Sequence, residues 1–145
     1  MPESGTVLAF DFGAKRIGVA VGESLLGRAR ALVCIAAVDK ATRYARIDEL
    51  VRTWQPCALV VGLPLTVDGA DSAMSERCRH FARALAARYG LPVHLVDERY
   101  TSVEAEERLA ALGHDWKSRK RAVDAEAAAI ILQDHLDGET HRRAA

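Results

Sequence analysis

Acidic side chains occur at three points where apolar segments begin or end, and these residues could do chemistry. Asp11 and the pair Asp97-Glu98 each follow a short apolar run, and Asp124 lies near the start of the apolar segment close to the end of the chain. A carboxylate beside a buried segment is costly unless it is paired or bound to a cation. Three oxygen ligands without His or Cys suit Mg²⁺ or Mn²⁺, and paired ions can activate a water for phosphodiester hydrolysis.

Each acid also has an ordinary structural explanation. Asp11 could belong to a hairpin turn, Asp97-Glu98 to a charged exit loop, and Asp124 to the favourable N-terminal end of a helix. Adjacent strand residues point to opposite faces, so Asp97 and Glu98 are not expected to serve the same site.

Cations cluster close to these acids in the sequence. Lys15 and Arg16 follow Asp11, Arg99 follows Glu98, and the run 117–121, which includes Lys120, precedes Asp124. Positive charge around the acids is what a polyanionic substrate requires, although a nucleotide site would also use it and the run could simply be a solvated loop. Thr101 has the spacing of a helix cap and could alternatively contact substrate.

Periodicity predicts the elements that would position these residues. Strands are expected at Thr6–Phe12, Arg16–Gly22 and Ala29–Ile35, a succession that favours an antiparallel three-strand meander. The pattern then alternates between helices and strands: a helix over 42–54, a strand at Ala58–Val61, a helix from about Met74 to Tyr89, a strand at Val93–Val96, and helices over about 101–112 and 122–136. We therefore predict an α/β fold with a mixed sheet, meander first and parallel strands after, and helices on both faces.

Composition restricts the class of protein. The chain has 145 residues, half of them hydrophobic, which favours one domain; we place it at 1–137, followed by a flexible tail at 138–145. Basic and acidic residues balance at 20 each, so net charge does not indicate nucleic-acid binding. We expect a cytoplasmic protein without membrane association, because no apolar stretch is long enough to span a bilayer and no signal peptide is recognisable.

Cys34, Cys57 and Cys78 are too far apart for a Cys-x-x-Cys pair and are expected to be buried reduced thiols.

Four segments together resemble the motifs of the YqgF/RuvX family, and they occur in that family's order. They comprise residues 7–20 (VLAFDFGAKRIGVA), 60–65 with Asp68-Gly69 (VVGLPL, DG), 96–102 (VDERYTS), and 123–132 around Asp124. The resemblance implies an RNase H-like fold and a role as a metal-dependent nuclease processing the 5′ end of pre-16S rRNA. By motif position, it places the catalytic metal ligands at Asp11, Glu98 and Asp124 and the family's basic residues at Arg16 and Arg99.

The expected cofactor is Mg²⁺ or Mn²⁺. The expected substrate is structured RNA, with branched DNA as an alternative, bound through Lys15, Arg16, Arg99, Thr101 and Lys120. A pre-ribosomal particle is a further expected partner, and the protein could be a monomer or a homodimer. One rival interpretation is a Holliday junction resolvase acting on DNA. Another is a non-catalytic RNA-binding factor for ribosome assembly or transcription. A third interpretation is a sugar-kinase or actin-like ATPase, but that class needs two domains of this kind and the length of this chain favours one.

Overall fold

The computed structural model describes residues 5–13, 15–36, 39–65, 68–97 and the helical backbone of 116–144, with side chains of that helix at 123–138. The predicted helix over 101–112 and the site residues Glu98, Arg99 and Thr101 lie outside the described residues. So does the side chain of Lys120.

A five-stranded mixed sheet forms the centre of the molecule. The first three strands pair antiparallel as the predicted meander, and the fourth and fifth run parallel to the first. Their spatial order is β3-β2-β1-β4-β5, with β1 at Thr6–Phe12, β2 at Ile17–Glu23, β3 at Arg28–Ile35, β4 at Ala58–Leu63 and β5 at Val93–Asp97. The predicted mixed sheet is confirmed, with strand ends displaced by no more than two residues.

Side-chain alternation along β1 divides the core between the two faces of the sheet. Leu8, Phe10 and Phe12 pack with residues of α1 (Lys40–Trp54) and α2 (Ala73–Tyr89). Val7 and Ala9 pack on the other face with residues of α3 (Trp116–Ala144). The expectation of helices on both faces is therefore confirmed.

The helices α1 and α2 are bounded by polar caps that the sequence supplies. Asp39 accepts a hydrogen bond from the backbone N–H of Thr42, and Ser72 forms a reciprocal capping box with Ser75. Gly90 ends α2 in the left-handed conformation, with φ of 66°, a geometry that favours glycine. Both helices begin on the side of the sheet where β1 ends, because α1 follows β3 and α2 follows β4.

Helix α3 differs most from the prediction. It begins at Trp116 rather than near 122, so the basic run 117–121 is helical backbone and not a loop. Asp124 consequently lies about two turns inside the helix. The interpretation of Asp124 as a helix N-terminal acid is wrong, since that effect falls off within the first turn. The helix continues to Ala144, past residue 136, where the periodicity predicted that it would end.

The middle of α3 is buried, as its apolar sequence predicted. Side chains from Ala127 to Leu132 are almost inaccessible to solvent. Within the described part of the chain, no helix is both long and apolar enough to cross a membrane.

Candidate active site

Asp11 is the next-to-last residue of β1 and lies on the face of the sheet that α3 covers. It shares that face with Val7 and Ala9, which pack against α3, because alternate residues of a strand point the same way. In the antiparallel pairing with β2, Asp11 lies directly opposite Gly18. Their Cα atoms are therefore about 4.5–5.5 Å apart.

Gly18 allows α3 to approach this point of the sheet. A Cβ atom at Gly18 would lie 1.8 Å from the backbone oxygen of Asp124 and 2.8 Å from the backbone nitrogen of Ala125. Any side chain would overlap the helix backbone, so glycine is required for this contact. Gly18 pairs with Asp11 on one side and contacts the Asp124 backbone above, so these two predicted ligands lie at the same point of the sheet. We call the residues around this point the acidic cluster.

Arg16 completes the described part of the cluster. Its Nε lies 2.6 Å from Oδ2 of Asp124, with the side chains 31% and 24% exposed respectively. Arg16 is held in the turn between β1 and β2, where its carbonyl accepts a hydrogen bond of 2.9 Å from the N–H of Gly13. The hydrogen bond to Asp124, and then its negative charge, raise the pKa of the Arg16 guanidinium.

Cys34 also belongs to this cluster, although the sequence indicated no role for it. It pairs with Gly18 across β2 and β3, and its Sγ lies 3.8 Å from Oδ2 of Asp124. Only Cys78 of the three cysteines is fully buried; Cys34 and Cys57 are half-buried, so the expectation of burial is wrong for them. Only the pairing of Cys34 with Gly18 could have indicated that Cys34 lies at the site, and that pairing cannot be predicted without the register of β3 on β2.

The other predicted site residues fall into two groups. Lys15 is exposed in the turn beside Arg16, and Lys120 belongs to the first turns of α3. Glu98, Arg99 and Thr101 lie outside the described residues.

Asp97 ends β5 on the same face as Val93 and Leu95, which line a surface against α2. Asp97 is therefore on the opposite face of the sheet from Asp11, which supports the expectation that only one residue of the Asp97-Glu98 pair serves the site.

The donor chemistry of the cluster fits a hard divalent cation. Asp11 and Asp124 contribute carboxylate oxygens, which Mg²⁺ and Mn²⁺ prefer. The described residues do not by themselves contain a group of three acidic, histidine or cysteine side chains able to hold a metal. A complete ligand set therefore needs at least one further group.

A family comparison places the chain among known proteins. The sequence profile of the RuvX family, described as a Holliday junction resolvase, matches residues 5–138. The chain belongs to the RuvX family. RuvX relatives named "Putative pre-16S rRNA nuclease" include one from Burkholderia pseudomallei (strain 668), 51% identical over 138 residues that cover 95% of this chain and 92% of the relative. Another, from Methylobacillus flagellatus, is 50% identical over 134 residues that cover 92% of each chain. The family resemblance based on the four motifs is thus confirmed.

Solved resolvase structures have the same fold as this RuvX chain. RuvC of T. thermophilus, in complex with a Holliday junction substrate, superposes with a TM-score of 0.59 at 17% identity, covering 94% of this chain and 96% of RuvC. The Fowlpox virus resolvase superposes with a TM-score of 0.52 at 11% identity, covering 90% and 98% of the two chains. The RNase H-like α/β fold implied by the sequence motifs is therefore confirmed.

Proposed function

We propose that this chain is a divalent-metal-dependent nuclease that hydrolyses phosphodiester bonds during 5′-end processing of pre-16S rRNA. The observation that carries the proposal is the convergence of Asp11 and Asp124 at Gly18, with Arg16 bonded to Asp124. The names of relatives about half identical over nearly the whole chain support the choice of substrate.

In this proposal, Asp11, Asp124 and Glu98 hold the metal. Bound Mg²⁺ or Mn²⁺ supplies an activated water and stabilises the leaving oxygen. We choose Glu98 and not Asp97 as the third metal ligand for two reasons. Asp97 is on the face of the sheet opposite Asp11, and Glu98 occupies the family's motif position. The short contact of α3 with Gly18 fixes the height of the Asp124 backbone above the sheet, and so helps to pre-organise the Asp124 carboxylate.

Arg16 has two successive tasks in this scheme. Without a bound cation, its guanidinium compensates the charge of Asp124 at 2.6 Å. If Asp124 held a cation, the guanidinium would instead donate hydrogen bonds to a substrate phosphate, to which its planar shape is suited. Lys15, Arg99, Thr101 and Lys120 are proposed to contact substrate around it.

Cleavage of a precursor rRNA 5′ end in Mg²⁺ tests the proposal. We expect Asp11→Asn and Glu98→Gln to lower the rate by orders of magnitude, since each removes a charged metal ligand. The matched control is Asp97→Asn, which makes the same chemical change on the opposite face and should retain most activity. Equal activity of Asp11→Asn and the wild type would remove Asp11 from the mechanism.

The resolvase function stays the second candidate, because the RuvX profile is described as a Holliday junction resolvase. Cleavage of a four-way DNA junction at the same enzyme concentration separates the two functions. Faster cleavage of the junction than of the precursor rRNA would favour the resolvase. If calorimetry shows tight RNA binding but no Mn²⁺ binding, the protein would instead be a non-catalytic RNA-binding factor.

A further inference from the structure

A basic surface, separate from the acidic cluster, lies on the face of the sheet opposite Asp11. It is a groove of about 380 Å³ between the N-terminal turns of α1 and α2, above the end of β1. We call it the Phe12 groove, and it is bordered by Phe12, Lys40, Arg43, Glu76, Arg77 and His80. Its floor is aromatic, since the rings of Phe12 and Phe81 are 4.7 Å apart between centroids.

Two arginines converge on the floor of the Phe12 groove. The guanidinium carbon of Arg43 lies 5.4 Å from the centroid of the Phe12 ring, and that of Arg77 lies 5.9 Å from the same centroid. Arg43 comes from α1 and Arg77 from α2, so the helix packing itself brings the two charges together. Stacking on the ring holds both guanidiniums over the groove.

The charge of the Phe12 groove is not balanced by its own residues. Within the described residues, no carboxylate lies within ion-pair distance of Lys40, Arg43 or Arg77. Glu76, the one acid among the described residues at the border, is 3.6 Å from Arg79, which is not part of the groove. Like charges near one ring repel each other, so an anion between them would be stabilised.

The Phe12 groove and the acidic cluster meet at one edge of the sheet. Phe12 follows Asp11 directly, so their Cα atoms are about 3.8 Å apart while their side chains occupy opposite faces. The exposed Lys15 lies in the turn just beyond, where β1 passes into β2. A chain of phosphates crossing this edge would therefore pass the cations of the groove on one face, Lys15 in the turn and Arg16 on the other face.

We infer that the Phe12 groove binds the phosphate backbone of the nucleic acid whose scissile bond lies at the Asp11–Asp124 cluster. The inference rests on the proposed function and extends it, since it assigns contacts on the sheet face that the metal ligands do not occupy. Arg43 and Arg77 contact phosphates, and Lys40 adds charge at the entrance. These contacts position the substrate without reading its sequence.

The test measures binding of a fluorescein-labelled RNA hairpin with a single-stranded 5′ extension, in EDTA, over a series of salt concentrations. The variant Arg43→Gln/Arg77→Gln removes both charges but keeps long side chains over Phe12. The control Arg52→Gln/Arg83→Gln removes one exposed charge from each of the same helices outside the groove. Circular dichroism confirms that both variants are folded.

We expect the groove variant to bind about tenfold more weakly, and the slope of log K against log salt to fall by about 1.8 for duplex contacts or 1.4 for single-stranded ones. The control should bind like the wild type. Charge-retaining Arg43→Lys/Arg77→Lys should keep most of the affinity. An unchanged slope in the groove variant would overturn the inference. Tighter groove-dependent binding of a polyglutamate peptide of equal charge than of the RNA would also overturn it, because it would indicate an acidic protein partner.

The two proposals fail in different ways. Because binding is measured without metal, weak binding by the groove variant supports the groove whether or not the protein cleaves RNA. Cleavage that needs Asp11 but is unaffected in the groove variant at subsaturating substrate would overturn the groove alone. Normal groove-dependent binding, together with full activity of Asp11→Asn, would overturn the metal site alone.

Discussion

Gly18 lies directly under the backbone carbonyl of Asp124, so close that a single added methyl group would overlap it. This contact sets the distance between α3 and the sheet at the level of Asp11. One glycine on β2 therefore sets how closely the Asp124 backbone approaches the pair of strands that carries Asp11.

Replacing Gly18 by alanine should disrupt this contact. The nearest atoms are backbone and cannot move aside independently, so α3 must shift; we expect a loss of about 1–3 kcal/mol or more in the free energy of unfolding. Urea unfolding measures it. The matched control is Gly138→Ala on α3, where nothing lies within 4 Å of the added Cβ atom. Alanine should stabilise the protein there by up to about 1 kcal/mol. Equal stability of both variants would show that α3 does not approach Gly18 this closely.

Arg16 should compete with metal for Asp124. We expect Arg16→Gln to bind Mn²⁺ about threefold to tenfold more tightly, the modest effect of losing a partly exposed ion pair, while its cleavage rate falls because a phosphate contact is lost. Calorimetry gives the affinity and single-turnover kinetics the rate. Arg46→Gln, an exposed residue on α1, should change neither. Weaker Mn²⁺ binding by Arg16→Gln would indicate that Arg16 holds Asp124 in position for the metal and does not compete with it.

Cys34 should make the site sensitive to thiol modification. Alkylation with N-ethylmaleimide would place a bulky group beside Asp124, whose Oδ2 is 3.8 Å from Sγ. We expect the wild type to lose most activity and Cys34→Ala to be protected. Cys57, also half-buried, lies beside Gly5 near the start of β1 and serves as the internal control. Inactivation of Cys34→Ala at the wild-type rate would place the sensitive thiol elsewhere.

Asp48 of α1 and Arg88 of α2 form an ion pair that responds to acid. Asp48 accepts hydrogen bonds from Arg88 and Tyr89, and these lower its pKa to about 2. Because the folded-state pKa is below the unfolded value, the stabilisation is present above pH 4 and is lost as pH falls towards 2. Urea unfolding of wild type and Asp48→Asn should differ by about 0.5–1 kcal/mol near neutral pH, the size typical of partly exposed pairs, and converge near pH 2. A difference independent of pH would contradict this origin.

The sequence predicted those parts of the fold that follow from local periodicity. Leu8, Phe10 and Phe12 alternate with Val7 and Ala9, so β1 was recognisable as a strand buried on both faces. The start of α3 was not recognisable, since the run 117–121 consists of polar residues without an apolar stripe. That error placed Asp124 at a helix end and gave it an explanation that its position inside the helix removes.

Features that depend on the tertiary arrangement could not be predicted from the sequence. Cys34 reaches Asp124 only through the pairing of β2 with β3, whose register shifts at Val19/Ala20. The Phe12 groove depends on Arg43 and Arg77, which are distant in the chain and meet only when α1 and α2 pack over the end of β1. Neither residue has a local pattern that distinguishes it from an ordinary surface arginine.

Anomalous diffraction from a crystal soaked in Mn²⁺ tests the shared metal site most directly. The proposal predicts at least one peak within about 2.0–2.4 Å of carboxylate oxygens from both Asp11 and Asp124, with the Arg16 guanidinium displaced from Oδ2. The same soak of Asp11→Asn should weaken or abolish that peak. Peaks bound elsewhere, or an Arg16–Asp124 pair that persists at saturating Mn²⁺ with no metal between the two carboxylates, would contradict it.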